Sequence, residues 1–270
     1  MLTWVAVLVL VVVPATAVTV KLLLRRRAPM GGWFTDSSRG GAIFGVLGTM
    51  FAVVLAFVIF LALESYERAR AGSAVEAVAV TELHSIAGLF LQPSGERLEG
   101  ALVCYGRAVI EDEWPTMQEG RPSELVQSWI DEMARGFAVA DPQGARQEAA
   151  YAQWFDQEAE RRDGRRARLA EASPFVPGPL WIVLGLGAVL TIAYMCVQAD
   201  RREGVVVQAV TIGFITTMVT AGLLVVAFLD QPYADQTGSI EPTEMRRTLA
   251  LIDGGSAVPC DEHGSPVPPG

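Results

Sequence analysis

The sequence predicts an all-α, polytopic membrane protein with four transmembrane helices and an inserted extramembrane helical bundle. Three observations support this prediction. The chain is 51% hydrophobic, and four of its apolar runs are long enough to cross a bilayer, which takes roughly 20 helical residues. The long charged stretch between the second and third runs has apolar residues at helical spacing. No segment alternates apolar and polar residues as a half-buried strand does.

The first predicted transmembrane hairpin covers residues 1–63, with spans at about 2–24 and 40–63. Its first span contains Pro14, which transmembrane helices tolerate, and leads into the basic cluster Arg25–Arg27. Residues 14–17 resemble a signal-peptidase site, but no basic segment precedes them and the arginine cluster follows soon afterwards. We therefore expect an uncleaved span, followed by a polar loop.

The second span is the element around which the rest of the chain is organised. Residues 40–63 contain no Asp, Glu, Lys, Arg or His, and no proline or glycine separates them from the charged sequence that follows. Glu64 and Arg68 form an i,i+4 pair of favourable polarity, so one helix is predicted to leave the membrane and continue to about Phe90. Small side chains form a stripe along the span, suited to packing either within one subunit or between subunits around an axis. They are Gly41, Gly45, Gly48, Ala52 and Ala56.

Residues 64–174 are predicted to form an acidic extramembrane helical domain. They include 12 arginines and 20 acidic residues, a charge balance that disfavours binding of nucleic acid. Gly72 and Ser73 are expected to loosen the long first helix of this domain.

Three further helices are predicted in this domain. The first has an apolar stripe and is expected to end near Trp114 and Pro115. Ser123 is predicted to cap the next helix. The last is predicted to start at Asp141-Pro142 and to run to about Ala172, with an arginine-rich end that suits a helix C-terminus.

The second predicted hairpin covers residues 175–229, with spans at about 180–197 and 205–229. Trp181 lies where interfacial tryptophans are found. The tail, residues 230–270, is predicted to contain one short amphipathic helix followed by disorder, because its last residues are rich in glycine and proline.

Arginine counts in the two short links predict the orientation of the spans. The first link carries four arginines against one acidic residue, and the second carries two against two. The positive-inside rule places both links in the cytoplasm. With four spans, the helical domain and the C-terminus are then predicted to lie outside the cell.

The residue inventory argues against an enzyme. The two histidines, His84 and His263, are far apart in sequence, and no zinc-protease, nucleophile-elbow, phosphate-loop or dinucleotide motif occurs. Three scattered cysteines without a CxxC pair indicate neither a disulfide framework nor a zinc site. The acidic run at 111–113 could bind a cation, but a solvated helix end is the preferred interpretation. We therefore expect no catalytic residue, no metal and no cofactor.

Several motifs resemble those of the bestrophin-like bacterial membrane proteins, long described as a domain of unknown function. The run LAFVIF at 55–60, followed by ESYERAR at 64–70, is similar to the signature of that family. The segment YGRAVIEDEWP at 105–115, the arginine-rich stretch 161–169 and the Asp-Gln-Pro sequence at 230–232 follow in the same order. We assign structural roles to the motif residues Tyr66, Glu67, Arg68, Glu113, Trp114, Pro115, Arg165, Arg166, Asp230 and Pro232.

The resemblance implies a multi-pass protein of the bacterial cell membrane with a helical extramembrane domain. By distant analogy with true bestrophins, it also implies a pentameric anion channel. True bestrophins keep the helical region in the cytosol, however, whereas the arginine count here places it outside. The tail also lacks the acidic calcium clasp of animal bestrophins. Within the motifs, Trp114 and Pro115 are expected to end and anchor a helix, and Arg165 or Arg166 is expected to pair with Glu64 or Glu67.

Two functions are compatible with these features. Transport coupled to protons or sodium usually needs ionisable groups within the membrane, and the apolar runs contain none, which argues against a pump. A channel can instead gate by dewetting of a hydrophobic constriction. Phe57, Phe60 and Glu64 fall at i, i+3 and i+7, so we predict a neck of phenylalanines with Glu64 at the mouth of a pore for an inorganic ion. Lipid-facing or intrasubunit phenylalanines are the alternative.

The second function is non-catalytic. In this interpretation the protein is a sensor or scaffold anchored in the lipid bilayer, and its acidic helical domain binds a protein partner. A homo-oligomeric ring with an axial passage would support the channel, and a monomer or a compact dimer would support the scaffold.

Overall fold

A computed structural model describes residues 2–29, 37–234, 236–254 and 258–267. Within these ranges the regular structure is helical, apart from one isolated antiparallel bridge between Cys260 and Pro266. The helices are α1 (Leu2–Arg27), α2 (Ser37–Ala87), α3 (Ser94–Ala108), a π-helical turn (Val109–Glu113), α4 (Trp114–Met117), α5 (Glu124–Ala138), α6 (Ala145–Ala170), α7 (Gly178–Val197), α8 (Val205–Leu229) and α9 (Thr243–Ile252).

Four of the described helices are long and apolar enough to cross a membrane, which confirms the predicted four-span, all-α architecture. They comprise α1, α2, α7 and α8. The chain divides into two compact units, and α2 contributes to both. The membrane unit comprises Met1–Ser65, Pro174–Gln231 and Asp235–Gly238, and the helical domain comprises Tyr66–Ser173, Pro232–Ala234 and Ser239–Gly270.

Small apolar clusters hold the membrane unit together. Ala17, Met195 and Ile212 meet where α1, α7 and α8 pack, and Val58 of α2 is buried in a second cluster with Leu184. Most apolar side chains on the other faces of these helices are exposed. This distribution is expected for helices in lipid, which is as apolar as the side chains themselves.

The two short links meet at one end of the membrane unit. The buried Lys21 Nζ donates to the carbonyl oxygens of Met195 at 2.7 Å and Gln198 at 3.2 Å. One turn further along α1, Arg25 Nη2 donates to the carbonyl oxygens of Arg201 and Glu203. The basic end of α1 therefore closes over the α7–α8 link. The rest of the predicted first loop, residues 30–36, lies outside the described residues.

Helix α2 is continuous over 51 residues, an extent of about 75 Å at 1.5 Å per residue. It ends three residues before the predicted Phe90. The expectation that Gly72 loosens it is wrong, because Gly72 serves a helix crossing instead. A Cβ at Gly72 would lie 2.9 Å from the carbonyl oxygen of Gly164, and one at Gly164 would lie 2.5 Å from the Glu76 nitrogen. Two facing glycines thus allow the backbones of α2 and α6 to touch.

Two predicted helix boundaries are wrong. The helical path does not end at Trp114 and Pro115 but continues to Met117, because the wide π-helical turn just before them accommodates a proline that lacks an N–H. Helix α6 begins at Ala145 rather than at Asp141-Pro142, because Gly144 with φ +79° interrupts the helix there. Ser123 does cap α5, since its hydroxyl accepts from the Val126 nitrogen at 3.0 Å.

The tail is more ordered than predicted. Cys260 forms a disulfide with Cys104 of α3, so the expectation that no disulfide exists is wrong. The Trp129 indole N–H donates to the carbonyl oxygen of Gly264 at 2.7 Å, and Arg107 donates to that of Asp261 at 3.0 Å. The described tail residues therefore pack onto α3 and α5. The predicted short helix is α9, and residues 255–257 and 268–270 lie outside the described part of the chain.

Candidate functional site

Helix α2 exposes a stripe of bulky apolar side chains along its membrane span. The members alternate in steps of four and three residues, which keeps them on one helix face. Phe57 and Phe60 are each 62% exposed, and the also exposed Glu64 follows at the next step. We call this set the α2 stripe: Val46, Met50, Val53, Phe57, Phe60 and Glu64.

Contacts on another face of α2 fix the direction of the α2 stripe. Phe51 packs on Gly187 of α7, and Leu55 packs on Gly222 of α8. Val58 is buried among residues of α7 and α8. The phenylalanines at 57 and 60 are therefore directed away from the subunit's own packed helices.

The small-residue stripe lies on another face of α2, and from Gly45 onward each of its members comes one or two positions before a member of the α2 stripe. A Cβ at Gly41 or Gly45 would meet no described heavy atom within 4 Å, and one at Gly48 would meet only Phe44 of its own helix. Among the described residues, these glycines therefore make no close contact with another helix.

A second group of motif residues lies in the core of the helical domain, around the guanidinium group of Arg168. Its Nε and Nη2 donate to the two carboxylate oxygens of Glu76 at 2.6 and 2.9 Å, and Nη2 also donates to Glu113 at 2.6 Å. All three side chains are 0 or 1% exposed. Charge-assisted contacts of this kind are the strong class of hydrogen bond.

Glu113 also accepts from Arg165 Nη2 at 2.5 Å, so one carboxylate serves two arginines. Burial alone would raise the pKa of Glu113, but the charges and hydrogen bonds of Arg168 and Arg165 outweigh it and hold the pKa below its ordinary value of 4.5. The acidic run at 111–113 is therefore partly internal. Asp112 accepts from the Ser123 hydroxyl.

Tyr105 extends the network. Its hydroxyl donates to Glu76 at 2.5 Å and accepts from Arg161 Nη1 at 3.1 Å, while Arg161 also binds Glu158. Burial raises the pKa of Tyr105 well above its usual range, and the neighbouring Glu76 raises it further. Tyr105 therefore remains a neutral hydroxyl that bridges an acid and a base.

Trp114 anchors the segment that follows α8 to this core. Its indole N–H donates to the carbonyl oxygen of Ile240 at 3.1 Å, and its ring packs edge-on against Tyr233. The Tyr233 hydroxyl donates to the carbonyl oxygen of Ala69 at 3.2 Å, and Pro232 accepts from the Ile240 nitrogen at 2.8 Å. The motif residues Trp114 and Pro232 thus hold this segment in place.

Asp230 performs a similar task in the membrane unit. It is buried at the C-terminal end of α8 and accepts from the Val176 nitrogen at 2.7 Å and from the Trp181 indole at 3.4 Å. The carboxylate therefore fixes the segment that leads into α7.

The predicted pairing of Arg165 or Arg166 with Glu64 or Glu67 is wrong. Arg165 pairs with Glu113, and Arg166 makes a long, exposed contact of 3.8 Å with Asp163. Arg68 pairs with Glu171 at 2.9 Å, and Tyr66 is half-buried against the domain core. Glu67 is exposed on α2.

Sequence reasoning missed Glu76, Tyr105 as a bridging group, and Arg168. One signal pointed to Glu76, since it is a single acid between alanines and valines on a helix face that is otherwise apolar. Arg168 was one of several similar arginines. Within the described ranges, no group of three or more His, Cys, Asp or Glu side chains is placed to hold a metal ion.

A family model for the Bestrophin-like domain matches residues 6–244, nearly the whole chain. The chain belongs to the Bestrophin-like family. No curated protein sequence matches it.

Solved structures agree with this assignment at the level of the fold. Two variants of a bacterial bestrophin homologue from Klebsiella pneumoniae match with TM-scores of 0.66 and 0.67 and sequence identities of 14% and 15%. The first alignment covers 91% of this chain and 99% of that chain, and the second covers 90% and 98%. A chain described only as a membrane protein matches with a TM-score of 0.65 and 14% identity, covering 91% and 99%.

Proposed function

We propose that this Bestrophin-like protein is an oligomeric ion channel of the bacterial cell membrane whose neck is formed by Phe57 and Phe60. The observation that carries the proposal is the α2 stripe, a row of bulky apolar side chains that points away from the subunit's own helices. In a ring of subunits, such a row can face the axis and form a constriction that gates by dewetting.

The neighbouring small-residue stripe supports an arrangement of several copies. Gly41 and Gly45 leave open space beside the α2 stripe, and small residues let helices from different subunits approach closely. If neighbouring subunits pack against the small-residue stripe, the α2 stripe lies on a different face of the same helix and remains free to face the axis of the ring. By analogy with bestrophins, the proposed oligomer is a pentamer, and Glu64 lies at one mouth of the pore.

Single-channel recording in planar bilayers tests the neck. Purified protein is expected to conduct, and Phe57→Ala and Phe60→Ala are expected to change the unitary conductance or the open probability, because they remove bulk from the constriction. Phe214→Ala is the matched control, since Phe214 is an exposed phenylalanine on α8 (71% exposed) outside the proposed pore. Protein that never conducts, with both neck variants silent, would overturn the proposal.

Particle images of the same preparation test the assembly. A ring with an axial passage supports the channel. A monomer or a compact dimer contradicts it and favours the sensor or scaffold, in which the acidic helical domain binds a protein partner.

We also propose that the helical domain lies on the extracytoplasmic side. The links near Lys21 and Arg25 bring basic residues together at one end of the membrane unit, which the positive-inside rule assigns to the cytoplasm. The disulfide between Cys104 and Cys260 supports the same orientation, because disulfides persist in oxidising compartments.

Labelling of intact bacterial cells with a membrane-impermeant maleimide tests this orientation. A cysteine introduced at the exposed Glu148 of the helical domain is expected to react, and one introduced at the exposed Arg202 of the second link is expected to react only after the cells are opened. The reverse pattern would place the domain in the cytosol, as in true bestrophins.

A further inference from the structure

A cleft with one basic end and one aromatic end runs between α5 and α6 in the helical domain. The basic end has a volume of about 310 Å³ and is lined by Arg161, Arg162, Arg165, Arg166, Gln127 and Leu169, among others. The aromatic end has a volume of about 390 Å³ and is lined by Phe137, Tyr151, Trp154 and Phe155, among others. Ile130, Glu158 and Arg162 line both ends, so the two lie side by side.

The four arginines of the basic end differ in whether they have a close carboxylate partner. Arg161 binds Glu158 through two nitrogens, and Arg165 binds Glu113, so these two arginines already have carboxylate partners. Arg162 is exposed, and Arg166, 74% exposed, makes a long ion pair of 3.8 Å with Asp163 as its one ion pair among the described residues. Arg162 and Arg166 lie one helical turn apart on the same face of α6. They supply two guanidinium groups to a domain whose charge is otherwise strongly acidic.

The aromatic end is preassembled. The Phe137 ring stacks on Tyr151 with centroids 4.4 Å apart and on Trp154 at 5.1 Å, and Phe155 packs edge-on at 5.2 Å. Phe155 remains 55% exposed, so a large apolar surface faces the cleft opening rather than the core. Aromatic rings held in this way suit the apolar body of a small molecule.

We propose that this cleft binds a small organic anion with an apolar body. Its carboxylate or other acidic group is held by Arg162 and Arg166, because guanidinium groups recognise such groups by charge and by hydrogen bonds. Its apolar body lies against Phe155 and Tyr151. Glu158 does not repel the anion strongly, because Arg161 neutralises it. The cleft is formed entirely by residues of the helical domain, so a bound anion would act on that domain as a ligand rather than pass through it as a permeating ion.

Isothermal titration calorimetry on the full-length protein in an uncharged detergent tests the site, with 4-phenylbutyrate as the probe. Acetate carries only the acidic head, and 4-phenylbutanamide carries the body without the charge. Saturable binding of 4-phenylbutyrate is expected, at least about tenfold tighter than that of either control and weakened by added salt. Absence of saturable binding, or an amide that binds as tightly, would overturn the proposal.

Matched variants locate the binding. The double variant R162Q/R166Q is expected to weaken 4-phenylbutyrate binding at least about tenfold, and Phe155→Ala is expected to weaken it several-fold. Arg146→Gln, which removes an exposed arginine of the same helix outside the cleft, is expected to leave the affinity unchanged. Equal affinities of R146Q and R162Q/R166Q would contradict the assignment. Both arginine variants change exposed side chains and should remain folded, which gel filtration checks.

Discussion

The two units of this chain place their charged and apolar side chains in opposite ways. In the membrane unit, phenylalanines and valines of α2 and α8 lie on the outside, while Gln208, Thr216 and Thr220 are buried. In the helical domain, a large apolar cluster surrounds the fully buried Arg168 with its two carboxylate partners.

The difference follows from what surrounds each unit. Lipid provides no hydrophobic force between helices, so the membrane unit is held by close packing and a few polar contacts, and whole apolar faces remain free for lipid or another copy. Water drives the helical domain to bury apolar side chains, and its buried ion pairs are tolerated because every carboxylate meets a guanidinium group. The membrane unit therefore has exposed apolar faces for contacts with other molecules, whereas the helical domain is stabilised by its own buried core.

Removal of Arg168 should produce the largest effect. Arg168→Met leaves Glu76 and Glu113 buried with fewer partners, and breaking a buried pair in this way costs about 3–5 kcal/mol of unfolding free energy. Tryptophan fluorescence during denaturant unfolding in detergent measures the loss. Arg146→Gln is the control, since Arg146 is exposed on the same helix.

A compensating variant sharpens the test of Arg168. Adding Glu76→Gln and Glu113→Gln to Arg168→Met removes the uncompensated charges and should restore part of the stability. If Arg168→Met cost less than about 1 kcal/mol, the buried network would not hold the domain together.

The disulfide should give the next largest effect. Cys104 and Cys260 are 156 residues apart, and loss of a disulfide that closes a long loop costs about 2–4 kcal/mol. Cys260→Ser is therefore expected to unfold at lower denaturant concentration than wild type. Reductant should lower the stability of the wild type but not that of Cys260→Ser. Free thiols at all three cysteines in protein purified without reductant would contradict the bond.

The glycine crossing of α2 and α6 should give a smaller effect. Gly164→Ala places a methyl group 2.5 Å from the Glu76 nitrogen and should cost about 1–3 kcal/mol, because backbone must move to accept it. Gly185→Ala in α7 is the matched change in the membrane unit, where a Cβ meets nothing within 4 Å. It should leave thermal stability unchanged or slightly raise it. Equal losses of stability in Gly164→Ala and Gly185→Ala would show that the close glycine crossing is not what makes Gly164 sensitive to substitution.

Local sequence rules predicted the elements whose causes are local. The four apolar runs predicted the spans, and Ser123 predicted the start of α5. The sequence rules that use proline to place helix ends gave wrong boundaries at two positions, because neighbouring backbone conformations changed where the helix ends or begins. A π-helical turn absorbs Pro115, and Gly144 delays the helix that Asp141 and Pro142 suggested.

Residue types alone could not predict the long-range pairs. The bond from Cys104 to Cys260 and the contact from Glu76 to Arg168 join positions 156 and 92 residues apart, and the pattern around each residue does not identify its partner. The exposed stripe on α2, by contrast, has the spacing of a single helix face. What faces that stripe depends on other molecules, so its role as a neck remains a prediction.

The smallest effect is expected in the pH dependence of the unfolding free energy. The comparison is between a buried carboxylate, Glu113, and one at the surface, Glu132. Arginines hold the pKa of Glu113 below 4.5, so its ionised form favours the folded state. The resulting stability is present above about pH 4.5 and is lost as the pH falls through the lowered pKa, by at most about 1.4 kcal/mol per pH unit for one proton.

Glu132 provides the comparison, because Arg97 and Arg135 also lower its pKa but its ion pairs are at the surface. Exposed pairs contribute about 0–1 kcal/mol, so Glu132→Gln should keep the acid dependence of the wild type, whereas Glu113→Gln should flatten it. Unfolding free energies measured between about pH 6 and pH 3 compare the slopes. Equal slopes in the two variants would mean that the buried arginine network does not control the acid response, and that the helical domain titrates through its surface as a whole.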